Sequence, residues 1–131
     1  MEVSVYEIYN RVPKGLPDSV QSWKLKDSGD GFFFTTYDTD NSDNIVEFYF
    51  KSTLAYLCID ESNRLELWAN HKIDKDKIIY IVSESSFLRD FHRKSKCVHE
   101  GVEIFHFFIV TAGDCIDVLS TSHPEIIQRV R

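Results

Sequence analysis

The chain is poor in the residues that staple, break or metallate a fold. Its three cysteines, Cys58, Cys97 and Cys115, form an odd set with no CxxC pair, which argues against a disulfide framework and against a structural zinc site. Three prolines and five glycines leave no linker or low-complexity tract, so the 131 residues read as one domain. No apolar run approaches the roughly 20 residues needed to span a bilayer, and the first seven residues lack both the basic and the apolar stretch of a leader. The expectation is a soluble, cytoplasmic protein with no membrane partner.

Catalytic signatures are equally scarce. There is no GxGxxG, Walker loop, GxSxG or HExxH, and His71, His92, His99, His106 and His123 are scattered without a pair at metal-ligand spacing. No cofactor and no metal site is expected, and no catalytic residue is assigned. Basic residues are in deficit too: 15 Lys and Arg against 21 Asp and Glu give −6. That balance disfavours direct nucleic-acid binding, because phosphate contacts need clustered cations to release counterions.

What the chain does have is acid in one place. Residues 27–76 hold eleven carboxylates against four Lys or Arg, a local −7, while residues 1–26 carry +1 and residues 77–131 balance to zero. A field gathered on part of a small protein raises its encounter rate with a basic partner and biases the orientation of approach. Solubility alone is the plainer account of such a charge. The candidate partner-binding carboxylates are Asp38, Asp40, Asp43, Glu47, Asp60, Glu61, Glu66, Asp74 and Asp76. Aromatic residues lie in or beside the same segment, most of them suited to a core; Tyr37 and Trp68 are expected to be exposed and to serve as anchors for a cationic protein.

With 43% hydrophobic and 14% aromatic residues the chain can bury one sizeable core. Strands are expected over 3–9, 32–37, 45–50, 53–59, 64–69, 78–82, 102–110 and 115–120, with a shorter candidate at 22–26 and a last extended or helical piece after Pro124. Between Ile45 and Phe50, Val46, Phe48 and Phe50 alternate with Glu47 and Tyr49, the pattern of a half-buried strand. Residues 32–69 read as a meander and 102–120 as a hairpin. One helix is expected at about 84–94, capped by Ser83 or Ser85, with Phe87, Leu88 and Phe91 on one face and basic residues at its C-terminal end. The fold class is therefore α+β, a mainly antiparallel sheet of about seven or eight strands with one short helix packed on a face.

Several constellations have a bland reading and a functional one. Asp38 to Asn44 has the opening of a calcium loop, but Asp43 stands where the turn needs Gly and Tyr49 where it needs a bidentate Glu, so a polar loop is expected there. His106, inside Ile104-Phe105-His106-Phe107-Phe108, reads as a satisfied, partly buried histidine. The enzyme alternative is a small hydrolase or ribonuclease that uses His99 or His106 with Lys96. Asp117 reads as an exposed strand position, Cys58 and Cys115 as small buried hydrophobes, and Cys97 as a thiol among Arg93, Lys94, Lys96 and His99. A ligand-binding regulatory domain with a pocket between sheet and helix is a third reading.

The C-terminal stretch His106-Phe107-Phe108-Ile109-Val110-Thr111-Ala112-Gly113-Asp114-Cys115-Ile116-Asp117-Val118-Leu119-Ser120, followed by Pro124-Glu125-Ile126, resembles a pattern met among small bacterial immunity proteins. These include the cognate inhibitors of contact-dependent growth inhibition toxins. The likeness covers roughly the last 20 residues and is not a catalytic signature. It implies a bacterial cytosolic inhibitor that binds the toxin domain of a protein delivered by neighbouring cells and blocks its active site or an essential surface. Such toxins are often nucleases with basic clefts, so the resemblance implies carboxylates offered in place of phosphates.

Overall fold

The computed structural model describes residues 4–60, 77–99 and 101–131. Among them are nine strands and one helix: β1 (Val5–Ile8), β2 (Val20–Ser28), β3 (Gly31–Asp38), β4 (Asn41–Phe50), β5 (Thr53–Asp60), β6 (Ile79–Ser83), α1 (Ser86–Lys94), β7 (Phe105–Val110), β8 (Asp114–Ser120) and β9 (Glu125–Val130). All pairings are antiparallel. They build a five-stranded sheet in the order β1-β6-β7-β8-β5 and a four-stranded sheet in the order β2-β3-β4-β9. The expected mainly antiparallel fold with one short helix is the fold observed.

Alternation decides how the sheets meet. Phe32 and Phe34 of β3 and Val46, Phe48 and Phe50 of β4 turn inward and are buried, as do Ile79, Phe107, Ile109, Ile116 and Val118 from the other sheet. The rings of Phe50 and Phe107 meet across the gap with centroids 5.6 Å apart. The result is a face-to-face sandwich with one shared core. Apolar residues on both faces of β7 and β8 follow from their central position, with the shared core on one side and a second packed cluster on the other. On that second side Tyr80, Val82, Phe108 and Cys115 form a smaller cluster.

Three expectations are corrected here. Residues 32–69 are not a meander, because the chain leaves the four-stranded sheet after β4 and β5 pairs with β8 instead. The free side of β4 is taken by β9, the piece left open as extended or helical, and the β4 to β5 step is fixed by the Ser52 carbonyl, which accepts from Ser120 Oγ and Thr121 N–H at 3.0 Å each. Residues 38–44 are not a loop: β3 runs through Asp38 and β4 starts at Asn41, with a bulge that absorbs the misfit between Tyr37/Ile45 and Asp38/Asn41. The strand expected from 102 begins at Phe105, after a turn closed by Val102 N–H on the His99 carbonyl. The strand expected over 64–69 lies outside the described residues.

α1 is capped by Ser85, whose Oγ accepts the Leu88 N–H at 2.9 Å. At its other end Arg93 and Lys94 pair with Asp90 on the exposed face. The segment after β1 is tied down by Tyr9, whose N–H donates to the Ile79 carbonyl and whose hydroxyl lies 2.9 Å from His123 Nδ1. Burial of the His123 ring, helped by the Arg11 guanidinium and opposed by Glu103, pushes its pKa below the ordinary 6.5.

Two predictions follow from this packing. Gly31 has φ +125°, and a Cβ there would lie 2.6 Å from Tyr49 Cε1 and 3.0 Å from the Phe50 carbonyl oxygen, whereas a Cβ on Gly29 meets nothing within 4 Å. Gly31→Ala should lower unfolding stability by about 1–3 kcal/mol in urea titration, and Gly29→Ala should leave the midpoint nearly unchanged. The second concerns acid. With a lowered folded-state pKa at His123, the unfolded chain binds more protons in the window below about 6.5, so this contribution is present above that pH and is lost as pH falls. His123→Gln should flatten the loss of melting temperature between about pH 7 and about pH 5.

Candidate functional site

Acidic side chains from both sheets gather at one end of the sandwich. The β3–β4 hairpin places Asp38, Asp40 and Asp43 there. Asp38 Oδ1 accepts the Asp40 N–H at 2.9 Å, Asp38 Oδ2 accepts from Asn44 Nδ2 at 3.3 Å, and Asn41 Oδ1 accepts the Asp43 N–H at 3.1 Å. These side-chain caps fold the turn tightly and leave Asp40 and Asp43 exposed. The Ser19 carbonyl accepts the Thr39 N–H at 3.1 Å, which brings exposed Asp18 beside the hairpin.

The five-stranded sheet joins at the same place. Val20, paired with Asp38, accepts the Ala112 N–H at 2.8 Å, and Ser22 Oγ donates to Asp114 Oδ2 at 3.0 Å. Asp114 in turn stands opposite exposed Asp60 in the β5–β8 register. Lys77 and Arg131 also reach this end, the latter through its N–H on the Asp43 carbonyl at 2.7 Å. Among the described residues named here, six aspartates from four different connections stand against those two cations.

Not every expected site residue belongs to this end. Tyr37 borders it next to Asp38 but is half-buried rather than exposed, because its side of β3 is shared with fully buried Ile45. Glu47 lies away from the end, at the middle of the outward face of the four-stranded sheet, where it accepts from Thr35 Oγ1 at 2.9 Å and lies 4.0 Å from Arg129. Glu61, Glu66, Trp68, Asp74 and Asp76 lie outside the described residues. Asp18 and Asp114 were not among the candidates; the first falls outside the acid-rich window and the second reads in sequence as turn chemistry alone. Trp23 is the exposed tryptophan among the described residues, at 43%, since it occupies a bulge where Ser22 and Lys24 face consecutive residues of β3.

A second arrangement lies beneath α1. His106 of β7 and Asp117 of β8 are diagonal neighbours on the outward face of the five-stranded sheet, because Asp117 stands opposite Phe108. His106 Nε2 lies 2.6 Å from Asp117 Oδ1, and His106 Nδ1 lies 2.7 Å from Ser85 Oγ. All three side chains are buried, which corrects the expectation of an exposed Asp117; it lies on a strand paired on both sides, next to His106, whose ring Phe87 of α1 meets edge-on at 5.4 Å. Since Ser85 Oγ accepts from Leu88, its own proton is available to Nδ1, and Nε2–H then faces the carboxylate.

Serine, histidine and aspartate in line are the residue types of a nucleophilic hydrolase. An acylated serine needs an approach path, and Ser85 is a buried helix cap that does not line the ≈ 360 Å³ cleft bounded by Tyr6, Leu57, Phe87, His106 and Asp117. The geometry is a clamp that fixes α1 to two central strands. His99, the other histidine of the enzyme reading, stacks on Phe91 at 5.5 Å, and no hydrogen bond or ring contact among the described residues joins it or Lys96 to His106.

The cysteines separate as well. Cys115 is fully buried, while Cys58 is exposed, contrary to expectation; among the described strands β5 is the edge of its sheet. Partial burial and then the Asp114 carboxylate raise the Cys58 pKa, which keeps it a thiol. Cys97 is exposed in a left-handed turn at φ 61°. No cluster of three or more His, Cys, Asp or Glu able to hold a metal occurs among the described residues.

Removal of the clamp's hydroxyl tests its role. Ser85→Ala loses a helix cap, about 1 kcal/mol, and strands a buried imidazole nitrogen, about 1–3 kcal/mol more. The urea midpoint should fall accordingly, while Ser86→Ala, at an exposed neighbour, should stay within about 0.5 kcal/mol of the parent.

Comparison with protein-family models, with curated proteins and with solved structures finds no match.

Proposed function

We propose that the protein is an inhibitor of the immunity type, which binds a basic toxin domain through the acidic end of its sandwich. The observation that carries this reading is the convergence of Asp18, Asp38, Asp40 and Asp43 from one sheet with Asp60 and Asp114 from the other. A set of carboxylates on rigid strand ends presents fixed negative charge to a cleft built for phosphates, and such a field favours fast, oriented encounter. The caps within the β3–β4 turn reduce the ordering cost of docking, since the hairpin is already held. The C-terminal resemblance to immunity proteins points to the same class of partner. The toxin domain would be a nuclease with a cationic substrate cleft, bound in the cytosol.

The test uses the product of the gene immediately upstream as the candidate partner. Asp18→Lys, Asp40→Lys and Asp43→Lys together, all at exposed positions, should slow association at least about tenfold and flatten its salt dependence. A triple variant with a native circular dichroism spectrum and an unchanged association rate would overturn the acidic-end reading.

A further inference from the structure

The outward face of the four-stranded sheet has the opposite sign to the adjoining end. The register sets Lys24 opposite Thr35 and Lys26 opposite Phe33, while β9 contributes Arg129 opposite Ile45. Lys24, Lys26, Arg129 and the following Arg131 are all exposed. Glu47 and Glu125 are the acids on this face, and Glu47 is already engaged by Thr35 and Arg129. In a chain of net charge −6 this is a local inversion.

Aromatic rings hold these cations in place. Lys24 Nζ lies 4.8 Å from the Trp23 ring centroid and the Arg131 guanidinium 4.2 Å, and Lys26 Nζ lies 5.7 Å from Phe33. No ion pair among the described residues engages Lys24, Lys26 or Arg131. Among the described residues their charge is therefore positioned by rings and engaged by no ion pair. Trp, Tyr and Arg on one flat surface are also the residue types that carry binding energy at protein interfaces.

We propose that this face is a docking surface for an acidic protein segment, with carboxylates on Lys24, Lys26 and Arg131 and with Trp23 holding Lys24 and Arg131 in place. Carboxylates match the planar donors of arginine, and cations held on rings lose little side-chain freedom on pairing. A protein fits better than a single-stranded nucleic acid. Bases need open ring faces, whereas Phe33 is stacked on Tyr49 at 4.7 Å and approached by Lys26, and Trp23 is capped by Lys24 and Arg131. This surface adjoins the acidic end at Arg131, but Lys24, Lys26 and Trp23 lie outside the six aspartates, so the proposal stands or falls without the acidic-end reading.

The test is a titration of the full chain with poly-L-glutamate, and in parallel with oligothymidine, read by amide and indole resonances. Poly-L-glutamate should shift the Trp23 indole and the amides of β2 and β9. Trp23→Ala and Arg131→Glu should each weaken binding at least about tenfold, a hot-spot loss. Arg93→Glu, in the other exposed basic cluster on α1, should leave it unchanged. The paired substitution Lys24→Glu and Lys26→Glu, both exposed, keeps the test open should Trp23→Ala unfold. Shifts centred on α1, equal weakening by Arg93→Glu, tighter binding of oligothymidine, or no binding at millimolar probe would each overturn the proposal.

Discussion

Burial of Phe32, Phe34, Phe48 and Phe50 against Phe107, Ile109, Ile116 and Val118 is the constraint from which the remaining features follow. Strand side chains alternate, so a pleat that commits one parity to the core commits the other to water or to a second layer. On β3 and β4 that second parity carries Phe33, Glu47 and Tyr49, which makes the outward face mixed and half-exposed. On β7 and β8 it carries His106, Phe108, Cys115 and Asp117, all buried, and α1 meets that face at His106 through Ser85 and Phe87. The buried imidazole and carboxylate then need partners, and Ser85 supplies one while starting that helix.

Charge is distributed by the same geometry. Strand ends are where the chain turns, turns favour aspartate and asparagine, and in this sandwich the turns of both sheets meet at one end. The strand interiors facing outward hold long cationic side chains that lie along aromatic rings. An acidic end and a basic face therefore adjoin at Arg131, whose backbone bonds Asp43 while its guanidinium covers Trp23.

Much of this was legible from residue order. Alternation at Val46, Phe48 and Phe50 gave β4 its inward face, the apolar run at 78–82 marked a strand flanked on both sides, and Ser85 with Phe87, Leu88 and Phe91 gave the helix and its cap. What was not legible is who pairs with whom. Whether β5 follows β4 in one sheet or crosses to β8 depends on the Ser52 carbonyl meeting Ser120 and Thr121, nearly seventy residues away. For the same reason Asp117 read as solvent-facing, since nothing near it in sequence reveals that β8 pairs on both sides and that His106 meets its carboxylate. The acidic end was half visible: Asp38, Asp40 and Asp43 are a run, but Asp18 and Asp114 join them only through tertiary hydrogen bonds.

The pairing of β4 with β9 and of β5 with β8 has a consequence for how the chain assembles. The β2–β3–β4 hairpins can form as soon as they are made, yet one side of β4 stays open until the last strand arrives, and β5 waits for β8. Closure of such long loops costs entropy before it yields contacts, so sandwiches of this kind fold in milliseconds to seconds rather than microseconds. In the interval the unpaired edge of β4, with Val46, Phe48 and Phe50 on it, is the adhesive part of the molecule. Asp40 and Asp43, at the mouth of that edge, act as gatekeepers against intermolecular pairing until Glu125 to Val130 seals it.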